Sequence, residues 1–373
     1  MSRSSPIQEL ERIELDDALH DFGGAHGSKG HDFAAFWIIF RLTELEARKQ
    51  GDYAFICEYV QDVAELDSAS QPSFVRLYQL KKKEDGYWKP TALTGQAVRS
   101  KKPKLDKPLC KLLAHVRAFK VTKAAGSFVT NAKFEVPLAT GHSSVNEPRI
   151  GLHHLDNAYT AALRRAVAEA EGVRAEDVDL TLVELRSEPI AVNDLQRHAN
   201  GVMIELLQEV APAHAGQAAS LVETLNARIK ARARRTEKCG TWSELLERRG
   251  FSRATFQDAV EQLKCVPDKT AARLRLLDKL SGAWNMPTRM RVEAALTKCA
   301  MSRVLIGESS HWRAIDLLLP VFEIANSENW TDQECFEAAC NLLIGSRPEL
   351  DADEVRALTI YEMTEWALDQ VSA

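Results

Sequence analysis

Sixteen residues separate Asp62 from Gln79-Leu80-Lys81, and Glu58 stands four residues before Asp62. Two carboxylates, an amide and an ammonium brought together suit metal-assisted phosphodiester hydrolysis. Such chemistry needs oxygen ligands for a hard cation, and beside them a lysine that orients or deprotonates water and offsets phosphate charge. Gln79 offers only a neutral carbonyl where a carboxylate would bring charge, so this set leans on Asp62. The same residue types also occur on solvated strand ends, and the elements that carry them decide between the two readings.

Phe55 to Lys83 reads as two strands joined by a polar turn. Phe55, Ile56, Tyr59 and Val63, then Phe74, Val75, Leu77, Tyr78 and Leu80, are strand formers, and Asp67 to Pro72 interrupt them. Alternation along a strand puts Glu58 and Asp62 on one face of the first strand and Gln79 and Lys81 on one face of the second. Upstream, a glycine-rich run from Phe22 to Gly30 leads into Asp32 to Arg48, where Phe33, Phe36, Trp37, Phe40, Leu42 and Leu45 recur at helical spacing. Glu44 on that helix is an alternative further carboxylate. Glu58 is preferred because strand parity fixes its face.

An Asp, a variable gap and (Asp/Glu/Gln)-x-Lys on the next strand make Asp62, Gln79 and Lys81 resemble the PD-(D/E)xK, or restriction-endonuclease-like, nucleases. The order of glycine loop, apolar helix, strand with Glu58 and Asp62, and strand with Gln79-x-Lys81 resembles the nuclease domain of bacterial antiphage effectors that degrade double-stranded DNA. That domain occurs in CBASS effectors fused to a nucleotide sensor, and in defence nucleases encoded beside a HerA-type ATPase. The resemblance covers roughly residues 20 to 200 and includes Phe128-Val129-Thr130-Asn131-Ala132-Lys133-Phe134. It implies an α/β domain with a mixed sheet flanked by helices. It also implies Mg²⁺ or Mn²⁺ held by Asp62, Gln79, the Leu80 carbonyl and Glu58, with Lys81 catalytic. The second half shows no likeness to the nucleotide sensor, which favours a HerA-like hexameric ATPase as partner.

The chain has 373 residues, enough for two domains, with 45% hydrophobic and 27% charged residues, as in a globular protein. No apolar signal core opens it and no window of about twenty apolar residues occurs, so a cytoplasmic protein is expected. Its seven cysteines, Cys57, Cys110, Cys239, Cys265, Cys299, Cys335 and Cys340, form no C-x-x-C pair and read as reduced core thiols. Gly24 to Gly30 lacks the residues of a phosphate-binding loop around Lys29. His153-His154 reads as structural, and His26 and His31 lie near the proposed site.

The net charge of −5 conceals asymmetry. Between Arg76 and Lys123 there are fourteen Lys and Arg against three acids, with Lys82, Lys83, Lys101, Lys102, Lys104 and Lys107 among them. They are expected to hold DNA phosphates, since each neutralised phosphate releases counterions. Arg228, Lys230, Arg232, Arg234, Arg235 and Lys238 form a second basic run on a helix, for DNA, an acidic partner or solvent.

Asn157 to Glu171 is an amphipathic helix, Leu112 to Phe119 a short one, and Phe134 to Leu138 and Asp179 to Leu185 read as strands. From Asn193 onward only helical periodicity is visible, in Asp194 to Glu209, Gly216 to Thr236, Trp242 to Arg249, Ala254 to Leu263 and beyond. Capping boxes at Thr241/Glu244, Thr331/Glu334 and Asp351/Glu354 mark helix starts. Trp242 to Leu263 superficially resembles a helix-turn-helix turning at Gly250-Phe251-Ser252, with Arg253, Thr255 and Gln257 on the second helix. Trp284, Trp312, Trp330 and Trp366 read as core or subunit-interface anchors. The expected division is a nuclease domain over 1–205 and an all-α domain over 206–373 for oligomerisation and partner docking. The competing reading is a non-catalytic DNA-binding or scaffold subunit in which Gln79 marks a decayed site.

Overall fold

The computed structural model describes residues 5–19, 28–94, 107–190, 192–235, 237–265, 269–306 and 314–372. Packing separates two compact units, Met1–Lys264 and Cys265–Ala373.

In the first unit the chain forms α1 (Pro6–Leu15), α2 (Ser28–Ala47), β1 (Ala54–Cys57), β2 (Val63–Leu66), β3 (Phe74–Lys81), α3 (Pro90–Thr94), α4 (Pro108–Arg117) and β4 (Lys123–Thr130). There follow β5 (Arg149–Gly151), α5 (Asn157–Glu171), β6 (Val183–Ser187), α6 (Leu195–Val210), α7 (Ala218–Ala233), α8 (Trp242–Arg249), β7 (Gly250–Ser252) and α9 (Arg253–Cys265). The seven strands make one mixed sheet in the order β5-β6-β4-β3-β2-β1-β7. β1, β2 and β3 are an antiparallel meander, β3, β4 and β6 run parallel, and antiparallel β5 and β7 close the edges. Parallel neighbours need a crossover. The stretch holding α3 and α4 provides it from β3 to β4, and α5 lies in the one from β4 to β6.

Both faces of the sheet are covered. Ile56, Ala64, Leu77 and Phe128 face a core with Leu112 and Val116 of α4, Leu163 of α5 and Leu10 and Ile13 of α1. Phe55, Val63, Tyr78, Leu80 and Val129 face the other way, against α2, α6, α7 and α9. α2 is apolar around most of its girth because it lies between the sheet and α6 and α7, and a helix enclosed in this way needs no polar stripe. On the other face Gly126 lets α4 pack close to β4. A Cβ there would fall 2.9 Å from Val116 Cγ2 and 3.0 Å from Leu112 Cγ.

Several elements fall where the sequence places them, α5 and α8 to the residue. Others differ for local reasons. Phe55 to Val63 is not one strand, since β1 stops at Cys57 and β2 starts at Val63, so the stretch makes three strands instead of two. Phe128 to Thr130 are the last residues of β4 and the chain leaves the strand at Asn131. Phe134 to Leu138 makes only isolated bridges, because Pro137 has no N–H for a ladder. Asp179 accepts the Thr181 N–H at 2.8 Å and winds residues 180–182 into a 3₁₀ turn, so the strand is Val183–Ser187. The residues of the expected helix-turn-helix turn are β7, paired with β1, and Arg253 is bonded to Glu46 and to the Gly51 carbonyl. This pairing rules out the helix-turn-helix reading.

The expected boundary at 205/206 falls inside the first unit, whose second core includes Met203, Leu207, Leu225, Ile229 and Phe256. The second unit comprises α10 (Lys269–Leu280), α11 (Met286–Ile306), α12 (Ile315–Ser327), α13 (Asp332–Ser346) and α14 (Ala352–Ser372). Leu277, Val292, Phe322, Phe336 and Leu358 form its core, with Trp284, Trp330 and Trp366 packed against it. Trp312 lies outside the described residues. The Thr331/Glu334 and Asp351/Glu354 boxes are reciprocal, while Glu244 turns to the Gly240 N–H instead of Thr241. Cys57, Cys110, Cys239, Cys299, Cys335 and Cys340 are in the thiol form, in no disulfide.

Candidate active site

The candidate site is built at the turn between β1 and β2 and the end of β3. The Glu58 N–H donates to the Asp62 carbonyl at 3.0 Å, so the two residues face one another across the mouth of the turn. Glu58 is held in the left-handed region at φ 50°. The two residues therefore come together through a turn and not along the one strand that the parity argument assumes.

β3 then brings its residues to Asp62. Gln79 Nε2 and the Leu80 N–H both donate to Asp62 Oδ2, at 2.5 and 2.6 Å. Lys81 Nζ stands 3.9 Å from the same oxygen, with the lysine side chain 42% and the aspartate 26% exposed. Alternation sends the Leu80 side chain into the core beneath α2, which leaves Gln79 and Lys81 on the Asp62 face. Burial, and then the negative charge of Asp62, push the Glu58 carboxyl up to about 8, while Lys81 and Arg249 oppose that rise.

The turn is gripped from behind by residues that carry no motif. Arg249 Nη1 donates to the Glu58 carbonyl at 2.7 Å, and its Nη2 donates to Glu14 of α1. The Tyr59 hydroxyl donates to the Leu10 carbonyl at 2.7 Å, and Gln61 bonds His115 of α4 at 2.7 Å. Paired arginines at a helix end read in sequence as solvated charge, so nothing local marks Arg249.

Glu44 stands elsewhere. It accepts from Arg41 and Arg48 and lines a cleft of about 450 Å³ with Phe40, Arg186, Glu188, His198 and Glu205. Of the expected phosphate contacts, Lys83 lies with Nζ 5.3 Å from the Trp88 ring centroid, and its backbone exchanges hydrogen bonds with the Asn131 side chain. Lys82 is 3.7 Å from Glu84, and Lys107 precedes Pro108 as the N-cap residue of α4. Lys101, Lys102, Lys104 and His26 lie outside the described residues, as does the side chain of His31. The second basic run is partly used internally: Lys230 pairs with Asp32 at 2.6 Å and Arg228 reaches Gln262.

A family model described as Cap4, dsDNA endonuclease domain, matches residues 22–233. The chain belongs to that family. No curated protein and no solved structure matches it. The Cap4 nuclease match places the chain among DNA-cleaving hydrolases of antiphage defence. It runs from just before α2 to the end of α7, and leaves α1, α8, β7 and α9 of the same compact unit outside.

Nucleases of this kind typically need a divalent metal. Two neighbouring carboxyl residues, one with its ionisation suppressed by burial and then by the charge of the other, and an amide oxygen are a donor set that suits a hard cation. Among the described residues no group of three or more His, Cys, Asp and Glu stands ready to hold a metal. The set therefore needs the neutral oxygens to be complete. No helix among the described residues is long and apolar enough to cross a membrane.

Proposed function

We propose that the chain is a metal-dependent endonuclease that degrades double-stranded DNA without sequence preference in the cytoplasm, and that it acts in complex with a HerA-like hexameric ATPase. The observation that carries the reading is the convergence of Gln79, Leu80 and Lys81 on one oxygen of Asp62, opposite Glu58. Asp62, Gln79, the Leu80 carbonyl and Glu58 would hold Mg²⁺ or Mn²⁺, which when bound polarises the scissile phosphate and lowers the pKa of water. The Gln79 amide and the Leu80 N–H orient Asp62. Lys81, half exposed at the rim, positions the attacking water and stabilises the negative charge that grows on the phosphoryl oxygens. Lys82, Lys83 and Lys107, with Lys101, Lys102 and Lys104, supply sequence-independent affinity for the backbone. The helical second unit is assigned to self-assembly and docking of the ATPase.

A scaffold reading, in which Gln79 marks a decayed site, draws on the shortage of carboxylates. Cleavage of plasmid and linear DNA with Mg²⁺ or Mn²⁺, by the wild type and Lys81→Ala, each alone and with a HerA-like hexameric ATPase, separates the two. Cleavage by the wild type only supports the nuclease, and dependence on the ATPase identifies the gate. No cleavage by an assembled complex overturns the reading in favour of the scaffold.

A further inference from the structure

We infer that Arg249 and Glu14 form a buried clamp that positions Glu58 for the proposed nuclease site, an inference that rests on that reading. Both side chains are removed from solvent, Arg249 2% and Glu14 1% exposed. One arm of the guanidinium takes the Glu14 carboxylate and the other donates to the Glu58 carbonyl at 2.7 Å. Glu14 also accepts the Cys239 N–H at 3.3 Å, which ties α1 to the segment leading into α8.

The backbone leaves Arg249 little choice of place. It is the last residue of α8, and at the next residue a Cβ would fall 2.4 Å from the Leu246 carbonyl oxygen, so glycine is required where the helix gives way to β7. β7 pairs with β1 in the register Ile56↔Gly250 and Phe55↔Phe251, which brings Arg249 level with the end of β1. Glu58 follows there in a left-handed conformation that a glutamate adopts only when its surroundings impose it. A forked donor on its carbonyl, with Tyr59 anchored to α1 one residue later, supplies that constraint.

A buried ion pair is weak evidence for stability, because desolvation consumes most of its attraction and apolar replacements of both partners are often as stable. A positional role accounts for the pair better, since its third contact is the main chain of a proposed metal ligand. Such outer supports typically change metal affinity by roughly 10-fold to 100-fold when removed. α1 and α8, which carry the clamp, lie outside the matched residues 22–233.

The test uses the full chain and the double variant Glu14→Met/Arg249→Met, which keeps the volume apolar and leaves no unpaired charge. The expected results are a melting temperature near that of the wild type, faster amide exchange in the peptide spanning 57–63 with β3 and β4 still protected, and Mn²⁺ binding by calorimetry weakened by roughly 10-fold or more. Wild-type exchange at 57–63, wild-type Mn²⁺ affinity, or loosening spread evenly over the sheet overturns the clamp. If the double variant does not fold, Arg249→Lys, which keeps the charge and loses the fork, is expected to open the same peptide, and wild-type exchange in it overturns the proposal. A wild type that neither binds Mn²⁺ nor cleaves sinks the nuclease reading and the clamp's role in it. Exchange, which needs neither, still tells whether the pair holds the turn.

Discussion

Glu58 and Asp62 are joined through the main chain, the N–H of the first donating to the carbonyl of the second at 3.0 Å, while their carboxylates repel. The backbone thus holds together two carboxyls that resist ionising together. Ionising both is unfavourable without a cation and favourable once a cation lies between them.

Lys81 is the sharpest test of the chemistry. Its side chain is 42% exposed and packs into no core, so Lys81→Ala should keep the melting temperature within about 2 °C of the wild type. Loss of one charge stabiliser should lower the cleavage rate by about 100-fold or more. Single-turnover cleavage at saturating Mg²⁺ measures this, and a reduction smaller than tenfold would remove Lys81 from the mechanism.

Glu58 makes a pH prediction with a definite sign. Its carboxyl is raised from 4.5 to about 8 in the folded chain, so between those values the folded state holds a proton that the unfolded state has released. Stability of the metal-free protein should therefore fall as pH rises through that window. Glu58→Gln cannot ionise, so its melting temperature should fall less between pH 5 and 8.5, by roughly 3 °C or more. Parallel melting curves in chelator for both proteins would refute the assignment.

Divalent metal binding near pH 7 should also release a proton, since a ligand carboxyl must ionise to bind. Calorimetry with Mn²⁺ in buffers of different ionisation enthalpy reads the number released. The wild type should release up to about one more than Glu58→Gln. Equal release by the two proteins would place the proton elsewhere.

DNA affinity should divide the basic residues by their internal bonds. Lys83→Ala and Lys107→Ala should each reduce the slope of log affinity against log salt by about one. Lys230→Ala should leave it unchanged, because Lys230 already pairs with Asp32. Filter binding without divalent metal, across a salt series, is the measurement.

The unit boundary predicts how truncations behave. A chain ending at Lys264 keeps α6, α7, β7 and α9 over the α2 core and should unfold cooperatively. One ending at residue 205 bares Phe55, Val63 and the outer side of α2 and should aggregate. A soluble, cooperatively folding 1–205 fragment would contradict the packing described.

The sequence alone determined which residues are candidates for the chemistry and much of the order of elements. The spacing of Asp62 and Gln79-x-Lys81 was visible because period-two alternation is a local property, and α5 and α8 were bounded by their own caps and apolar stripes. The matched family agrees with the resemblance those residues carry. Only the tertiary structure decided what depends on partners distant along the chain. β7 is three residues long and exists because β1 lies beside it, so residues 250–252 read as a helical turn until that pairing is seen. The five residues from Glu58 to Asp62 contain strand formers, yet they turn, because Arg249 and Leu10 hold Glu58 and Tyr59 from other elements. Glu14 and Arg249 stand 235 positions apart, and no local pattern records a bond made by two side chains that meet only after both faces of the sheet are covered.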